Sequence, residues 1–332
     1  MQAMEEKINL PLEQLANKCD VINPHDPKET IDKITGLSVD FPSEHLILIY
    51  NYFFEVSNSY EVLMFLLHKI DKYKDKSSRA LLIDSLLMKS KLAQRIPDPD
   101  NLTRIRVNIT KALANTKDSQ AVYPLLYCLN SKDENYKVKL SCAEALGKIG
   151  DKYAVLPLMK IVEDESESSV YVKESAVSAL GMIGDDKAVD SLVSILESKK
   201  GFLDKFTFLK ERALEALNKL NYNYRNERIH NALVKSLRDE SPQVRINAIE
   251  VLMNSEDERA EELIRNMLND NNREVVQNAV IALYNMLGDN ILKEIINGEE
   301  FSDKAKTEAL KLQEDILEEE EEEDEETNGK YE

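Results

Sequence analysis

A nine-residue pattern returns six times along this chain, and its return constrains the fold more than any single motif. The stretches IRVNITKAL (105–113), VKLSCAEAL (138–146), VKESAVSAL (172–180), LKERALEAL (209–217), VRINAIEVL (244–252) and VVQNAVIAL (275–283) begin 33, 34, 37, 35 and 31 residues apart. Each has apolar residues at positions 1, 5 and 8–9, which lie on one face of an α-helix. A second pattern alternates with the first: AVYPLLYCL (121–129), AVLPLMKIV (154–162) and AVDSLVSIL (188–196), with looser copies at 229–237 and 260–268. Each period therefore predicts two short amphipathic helices. A lone pair cannot bury its apolar faces, whereas stacked pairs share one continuous core. The expectation is an all-α solenoid, a superhelix of about eight helix pairs including degenerate caps.

Polar turns such as NSKDENYK, RDESPQ and NDNNRE separate the two helices of a pair. Their Asp and Asn residues suit N-caps. Upstream, YEVLMFLLHKI (60–70) reads as a first helix and SRALLIDSL (78–86) as a second; downstream, AKTEALKLQ (305–313) is a degraded second helix. The domain reading is an N-terminal helical cap over 1–43, with a helix at 3–19 and a loop around NPHDPKE, the solenoid over 44–313, and an acidic, disordered tail over 314–332. Bends are expected at IPDPDN (96–101) and ESKKGFLDKF (197–206).

The pattern AVxPL…D…V[KR]xxAxxALGxIGD, carried best by residues 121–184, resembles the short HEAT-like repeats of the phycobilisome-lyase type. That resemblance implies a solenoid whose second helices line the concave face. It admits a bilin lyase or lyase-like chaperone acting on a phycobiliprotein as an alternative to a scaffold, and a nucleic-acid repair protein as a minor one. HEAT-like deoxyhypusine hydroxylases bind iron through His-Glu pairs. Here none of the four histidines is followed by Glu, so no metal or cofactor is expected. HEAT-like alkylpurine glycosylases use aromatic and basic residues in a groove, and this chain has no Trp and a net charge of −19.

That charge is uneven. Residues 314–332 carry a net −11, including nine consecutive acids at 318–326. Like charges at i,i+4 oppose helix formation, so this run is expected to be solvated, as a solubility device or a tether for a basic partner. A chain this acidic is repelled by nucleic acid and by anionic membranes. With no signal pattern and three unpaired-looking cysteines (Cys19, Cys128, Cys142), the expected location is the cytoplasm. Cys128 and Cys142 occupy repeat-core positions and read as small hydrophobes.

Two features invite a binding function. ALGKIGDKYAV (145–155) and ALGMIGDDKAV (179–189) each contain G-x-x-G-D. No strand precedes either, as a phosphate loop requires. The reading is structural: Gly150 and Gly184 end helices, Gly147 and Gly181 admit a neighbour, and the Asp caps the next helix. The second feature is a charge ladder on the second helices. Position two carries Arg79, Arg106, Lys139, Lys173, Lys210 and Arg245; position seven carries Asp84, Lys111, Glu144, Ser178, Glu215 and Glu250. Its bases either align the stack by pairing with acids nearby or bind a partner protein. The candidate partner-binding residues are Arg106, Lys139, Lys173, Lys210 and Arg245 with Glu144, Glu215 and Glu250. No catalytic set can be assembled, and the expected function is a non-catalytic protein-interaction scaffold.

Overall fold

The computed structural model describes residues 22–23, 25–40, 43–164, 169–197, 207–220, 227–255 and 257–328, with backbone only for 38–40, 43–44, 90 and 319–328. The described residues form eighteen α-helices and four 3-10 turns, with no strand among them. They fall into two compact units, Met1–Ile183 and Gly184–Glu332.

The first unit holds α1 (Pro27–Asp40), α2 (Ser43–Val56), α3 (Tyr60–Tyr73), α4 (Arg79–Leu87), α5 (Lys89–Arg95), α6 (Pro99–Asn115), α7 (Val122–Asn130), α8 (Tyr136–Ile149), α9 (Val155–Glu163) and α10 (Val170–Ile183). Its long helices α3, α6, α8 and α10 each pack on the next, and the short helices α4, α7 and α9 lie against α6, α8 and α10. The second unit holds α11 (Val189–Glu197), α12 (Thr207–Leu220), α13 (Glu227–Ser236), α14 (Pro242–Met253), α15 (Ala260–Met267), α16 (Arg273–Leu287), α17 (Asp289–Asn297) and α18 (Asp303–Asn328). There α12, α14, α16 and α18 form the row of second helices, backed by α11, α13, α15 and α17. This is the all-α solenoid of stacked helix pairs that the periodicity predicts.

The pattern positions are the core. Val138, Cys142, Ala145, Leu146 and their counterparts Val172, Ala176, Ala179, Leu180, then Val244, Ala248, Val251, Leu252, are all 2% exposed or less. Small residues at positions 5 and 8 let neighbouring second helices approach closely. Gly147 takes this furthest: a Cβ there would lie 2.8 Å from the Ala179 Cα of α10 and 2.5 Å from the Met182 Cε. Cys128 and Cys142 are both buried in this core. Burial, reinforced by contact with Cys128, pushes the Cys142 thiol well above its ordinary pKa. Cys19 lies outside the described residues.

The G-x-x-G-D question is settled by the backbone. Gly150 (φ 76°) and Gly184 (φ 70°) are left-handed, and the equivalent residues one and two units upstream are Lys117 (φ 49°) and Lys74 (φ 50°). The residue after each is Asp: Asp75, Asp118, Asp151 and Asp185 accept backbone hydrogen bonds from Ser77, Gln120, Tyr153 and Lys187. Each caps a 3-10 turn that feeds a nine-residue first helix. The Ser77 hydroxyl and then its backbone N–H at Asp75, and chiefly the backbone bonds at Asp118 and Asp151, stabilise the carboxylates, whose pKa values lie below the ordinary range. The glycines serve a left-handed residue that lysine fills elsewhere, so no ligand is needed to explain them.

Three expectations are corrected. First, the roles of 60–70 and 78–86 are exchanged. Helix α4 is nine residues long behind an Asp-capped 3-10 turn, as are α7 and α9, so it is a first helix; α3 is fourteen residues long and packs on α6 as a second helix. The apolar periodicity of the two helix types overlaps, and only length and cap chemistry separate them. Second, NPHDPKE is not all loop. Pro27 opens α1 and the Asp26 Oδ1 accepts from the Glu29 N–H at 3.0 Å, a Pro-at-N1 start that two prolines had disguised. Third, α18 runs unbroken through the acidic stretch to Asn328. Its first turns are packed, with Ala305 and Ala309 fully buried, so nucleation is already met and each further residue requires only propagation, for which Glu is well suited. In IPDPDN, Asp98 accepts from the Asn101 N–H at 2.7 Å and Pro99 stands in the first turn, so this stretch starts α6. The helix expected at 3–19 and most of the bend expected at 197–206 lie outside the described residues.

Candidate functional site

The ladder of bases is a set of clasps. Arg106 on α6 is 2% exposed and donates two hydrogen bonds to the Glu134 carboxylate, at 2.5 and 2.7 Å, and one to the Leu86 carbonyl at 3.0 Å. Lys210 on α12 reaches Asp239 at 2.8 Å. Arg245 on α14 grips both oxygens of Asp270 at 2.9 Å, and its Nη1 donates to the Asp239 carbonyl at 2.8 Å. In each case a second helix reaches the acid in the turn of the following pair, 25 to 29 residues on. Burial pushes the pKa of Glu134 up; the hydrogen bonds and charge of Arg106 outweigh it and set the pKa below the ordinary range. Arg79 belongs to a different set: it starts the first helix α4 and pairs with the capping Asp118.

The remaining predicted residues do not join these three in one site. Lys139 is half-buried and Lys173 is 5% exposed. Glu215 pairs with Arg212 on its own helix at 2.6 Å. Glu250 is exposed and accepts from the Asn218 amide at 2.9 Å. Glu144 lines a cavity. The acids of the clasps were visible in the polar turns, because each turn carries an acid 25 to 29 residues after a position-two base.

That cavity is a groove of about 410 Å³ between the second helices α6 and α8. Asp100, Thr103, Arg104, Val107, Asn108 and Lys111 form one wall; Lys137, Leu140, Ser141 and Glu144 form the other. Both sets recur at i, i+3, i+4 and i+7, one stripe per helix. The wall on α6 begins early because Asp98 and Pro99 start that helix, which runs for seventeen residues against fourteen in α8. The floor is fixed from below: the Ser141 and Thr110 hydroxyls bond each other, and both reach the Val107 carbonyl. Asn108 donates to the Arg104 carbonyl at 2.8 Å. Arg104, Lys111 and Lys137 are exposed, and none forms an ion pair with a described residue. Within a chain of net charge −19, three bases against Asp100 and Glu144 make a locally cationic surface.

A smaller groove of about 210 Å³ lies between α16 and α18, lined by Arg273, Gln277, Ile281, Glu308, Lys311, Leu312 and Asp315. Its cations are committed: the buried Glu308 accepts from Arg273 at 2.6 Å and lies 3.9 Å from Lys311.

The first helices contrast in the same way. In the first unit Tyr123 (71% exposed), Tyr127, Tyr153 (69%) and Leu156 project from α7, from α9 and from the turn before it. In the second, Arg228 on α13 bonds Asp190, Ser194 and Glu197, while His230 and Arg259 share Asp257 and Arg259 also reaches Glu227. Hydrogen bonds from Arg259, against a smaller desolvation cost, hold Asp257 far below the ordinary carboxylate range. Sequence periodicity missed these outer faces, because it registers only which residues are apolar and buried. No three of His, Cys, Asp and Glu among the described residues form a metal-holding group, and no described helix is long and apolar enough to cross a membrane.

Stacked helix pairs, a small-residue core and turn-to-helix clasps define an α-solenoid of helical repeats. The chain belongs to the HEAT repeats family, whose model matches residues 90–170, 129–218 and 230–311, nearly two thirds of the sequence. Among solved structures, Kap95p in its complex with RanGDP is similar at 14% identity and a TM-score of 0.51, over 87% of this chain and 43% of Kap95p. The complex of CpcE and CpcF of phycocyanin lyase from Nostoc sp. PCC7120 matches at 20% identity and 0.40, over 66% of this chain and 90% of that one. Human deoxyhypusine hydroxylase matches at 16% and 0.34, over 84% and 100%. None of the curated proteins matches the sequence.

Proposed function

We propose that this chain is a non-catalytic protein-interaction scaffold that docks a segment of a partner protein in the groove between α6 and α8. One observation carries the reading. The position-two bases Arg106, Lys210 and Arg245 are consumed in holding the stack together, whereas Arg104, Lys111 and Lys137 stand uncommitted around a cavity with an apolar floor. Side chains that cost conformational entropy to hold and give nothing to the fold are suited to recognition. The scaffold spans 44–313 in this reading, with residues 1–43 as an extension and 314–332 as the acidic tail.

A photo-reactive residue in place of Leu140, in the full chain, tests this in a cell extract from the native source; the same residue in place of Gln277 in the second groove is the control. A discrete protein adduct at Leu140 and none at Gln277 is the expected result. Equal labelling at the two sites, or none at Leu140, overturns the reading.

A further inference from the structure

We infer that the α6–α8 groove selects an extended acidic segment: two carboxylates about three residues apart with an apolar side chain between them. This rests on the proposed docking site and specifies its ligand. The charges set the sign. Arg104 and Lys111 stand seven residues apart on α6, so their Cα atoms are separated by about 10 Å along the helix axis. Lys137 opens the facing wall on α8, and Val107 and Leu140 lie between the cationic ends. An extended peptide in the polyproline II conformation advances about 3.1 Å per residue with three residues per turn, so side chains at i and i+3 project from the same face and match the spacing of the two cations. The residue at i+2 then lies between them along the groove, at the level of Val107 and Leu140.

The walls argue against other ligands. A basic segment would meet three unpaired cations and gain only Asp100 and Glu144. An apolar one would leave the charged rims without partners, because the floor offers only two half-buried aliphatic side chains. Tetrahedral anions are favoured less than carboxylate pairs, since the cations are spread over two helical turns rather than gathered at one point. The position-two bases cannot substitute for these three, because Arg106 already gives both its terminal nitrogens to Glu134.

The test uses the full chain and fluorescein-labelled dodecapeptides centred on Asp-Ser-Leu-Glu, read by fluorescence anisotropy at low and physiological salt. Saturable binding is expected, weakened at least tenfold by the combined charge reversal R104E, K111E and K137E. Replacing either acid of the peptide by Lys, or its Leu by Ser, should weaken binding several-fold. A peptide copying residues 314–328 serves as competitor, because Asp315, Leu317 and Glu318 carry the same spacing; displacement is expected, and no displacement at saturating competitor counts against the inference. Equal binding of the acidic and lysine-substituted peptides overturns the inference, as does binding unaffected by the triple reversal in a protein with unchanged helicity. If the acidic peptide fails while the Leu140 adduct persists, the ligand class is wrong and the docking site stands. If both fail, the docking site itself is wrong.

Discussion

The two units are built from the same helix pair and use their surfaces in opposite ways. In Gly184–Glu332 four arginines pair with acids across the surface: Arg228 with Glu197 and Asp190, Arg259 with Asp257 and Glu227, Arg265 with Glu261 and Glu294, Arg273 with Glu308. In Met1–Ile183 the clasp of Arg106 is deep, but the surface around it is left open, with uncommitted cations in the groove and tyrosines on the first helices. Surface ion pairs contribute little stability individually, so the closed surface of the second unit is better understood as removing binding options than as strengthening the fold. Shared architecture therefore does not imply a shared surface: the repeat pattern specifies the core and leaves the outward residues of each unit free to differ.

The largest effect should come from the clasp beneath the open surface. Arg106→Ala leaves Glu134 buried without its partner and is expected to cost about 3–5 kcal/mol, measured by urea unfolding. Because the folded pKa of Glu134 is lowered, its contribution is complete above the ordinary carboxylate range of about 4 and is lost as pH falls through the lowered value. The stability gap between the parent and Glu134→Gln should narrow as pH falls from about 5 to about 2; a constant gap would show that Arg106 does not sense this charge.

Gly147→Ala should come next. Alanine is the better helix former by about 1 kcal/mol, yet its Cβ would meet the Ala179 backbone at 2.8 Å. Overpacking of this kind costs about 1–3 kcal/mol, and thermal unfolding should show a net loss. An unchanged or raised melting temperature would mean that α8 and α10 have room to separate at this contact.

A smaller change tests whether the second unit can be opened. Glu308→Ala releases Arg273 and Lys311, both more than half exposed, at a cost of about 1 kcal/mol or less. The photo-reactive residue at Gln277 should then begin to label protein. If it stays silent in a folded variant, uncommitted cations are not what distinguishes the two units. The smallest stability effect belongs to R104E, K111E and K137E, each within about 0.5 kcal/mol of the parent as expected for surface positions, with unfolding midpoints nearly superimposed. A large loss would place those side chains among the clasps.

Much of this was legible in the sequence because burial follows periodicity. Spacing alone assigns Val138, Cys142 and Leu146 to the core, and the G-x-x-G-D stretches to the turns between units. What could not be read was how each polar residue is used. Arg106 and Arg104 are two positions apart on one helix, and the same kind of side chain is buried in a clasp at one and exposed in a groove at the other. That difference is set by a turn 28 residues on, which supplies Glu134. The exchange of α3 and α4 has a similar cause: both are apolar and helical, and the distinguishing signal was Asp75 capping the turn before α4, not the apolar pattern. The helical acidic stretch of α18 was hidden for another reason: local repulsion is visible in the sequence, whereas the packed turns that precede it are a tertiary feature.

The left-handed residue followed by a capping Asp also makes the chain divisible. Cuts before Asp118 and before Asp151 release a 33-residue cassette with matching ends, because both cuts fall after a left-handed residue and before the same cap. A copy of 118–150 inserted after Gly150 would meet at each joint the backbone conformation it left. The protein should therefore accept lengthening by whole cassettes, each adding another copy of α7 and α8.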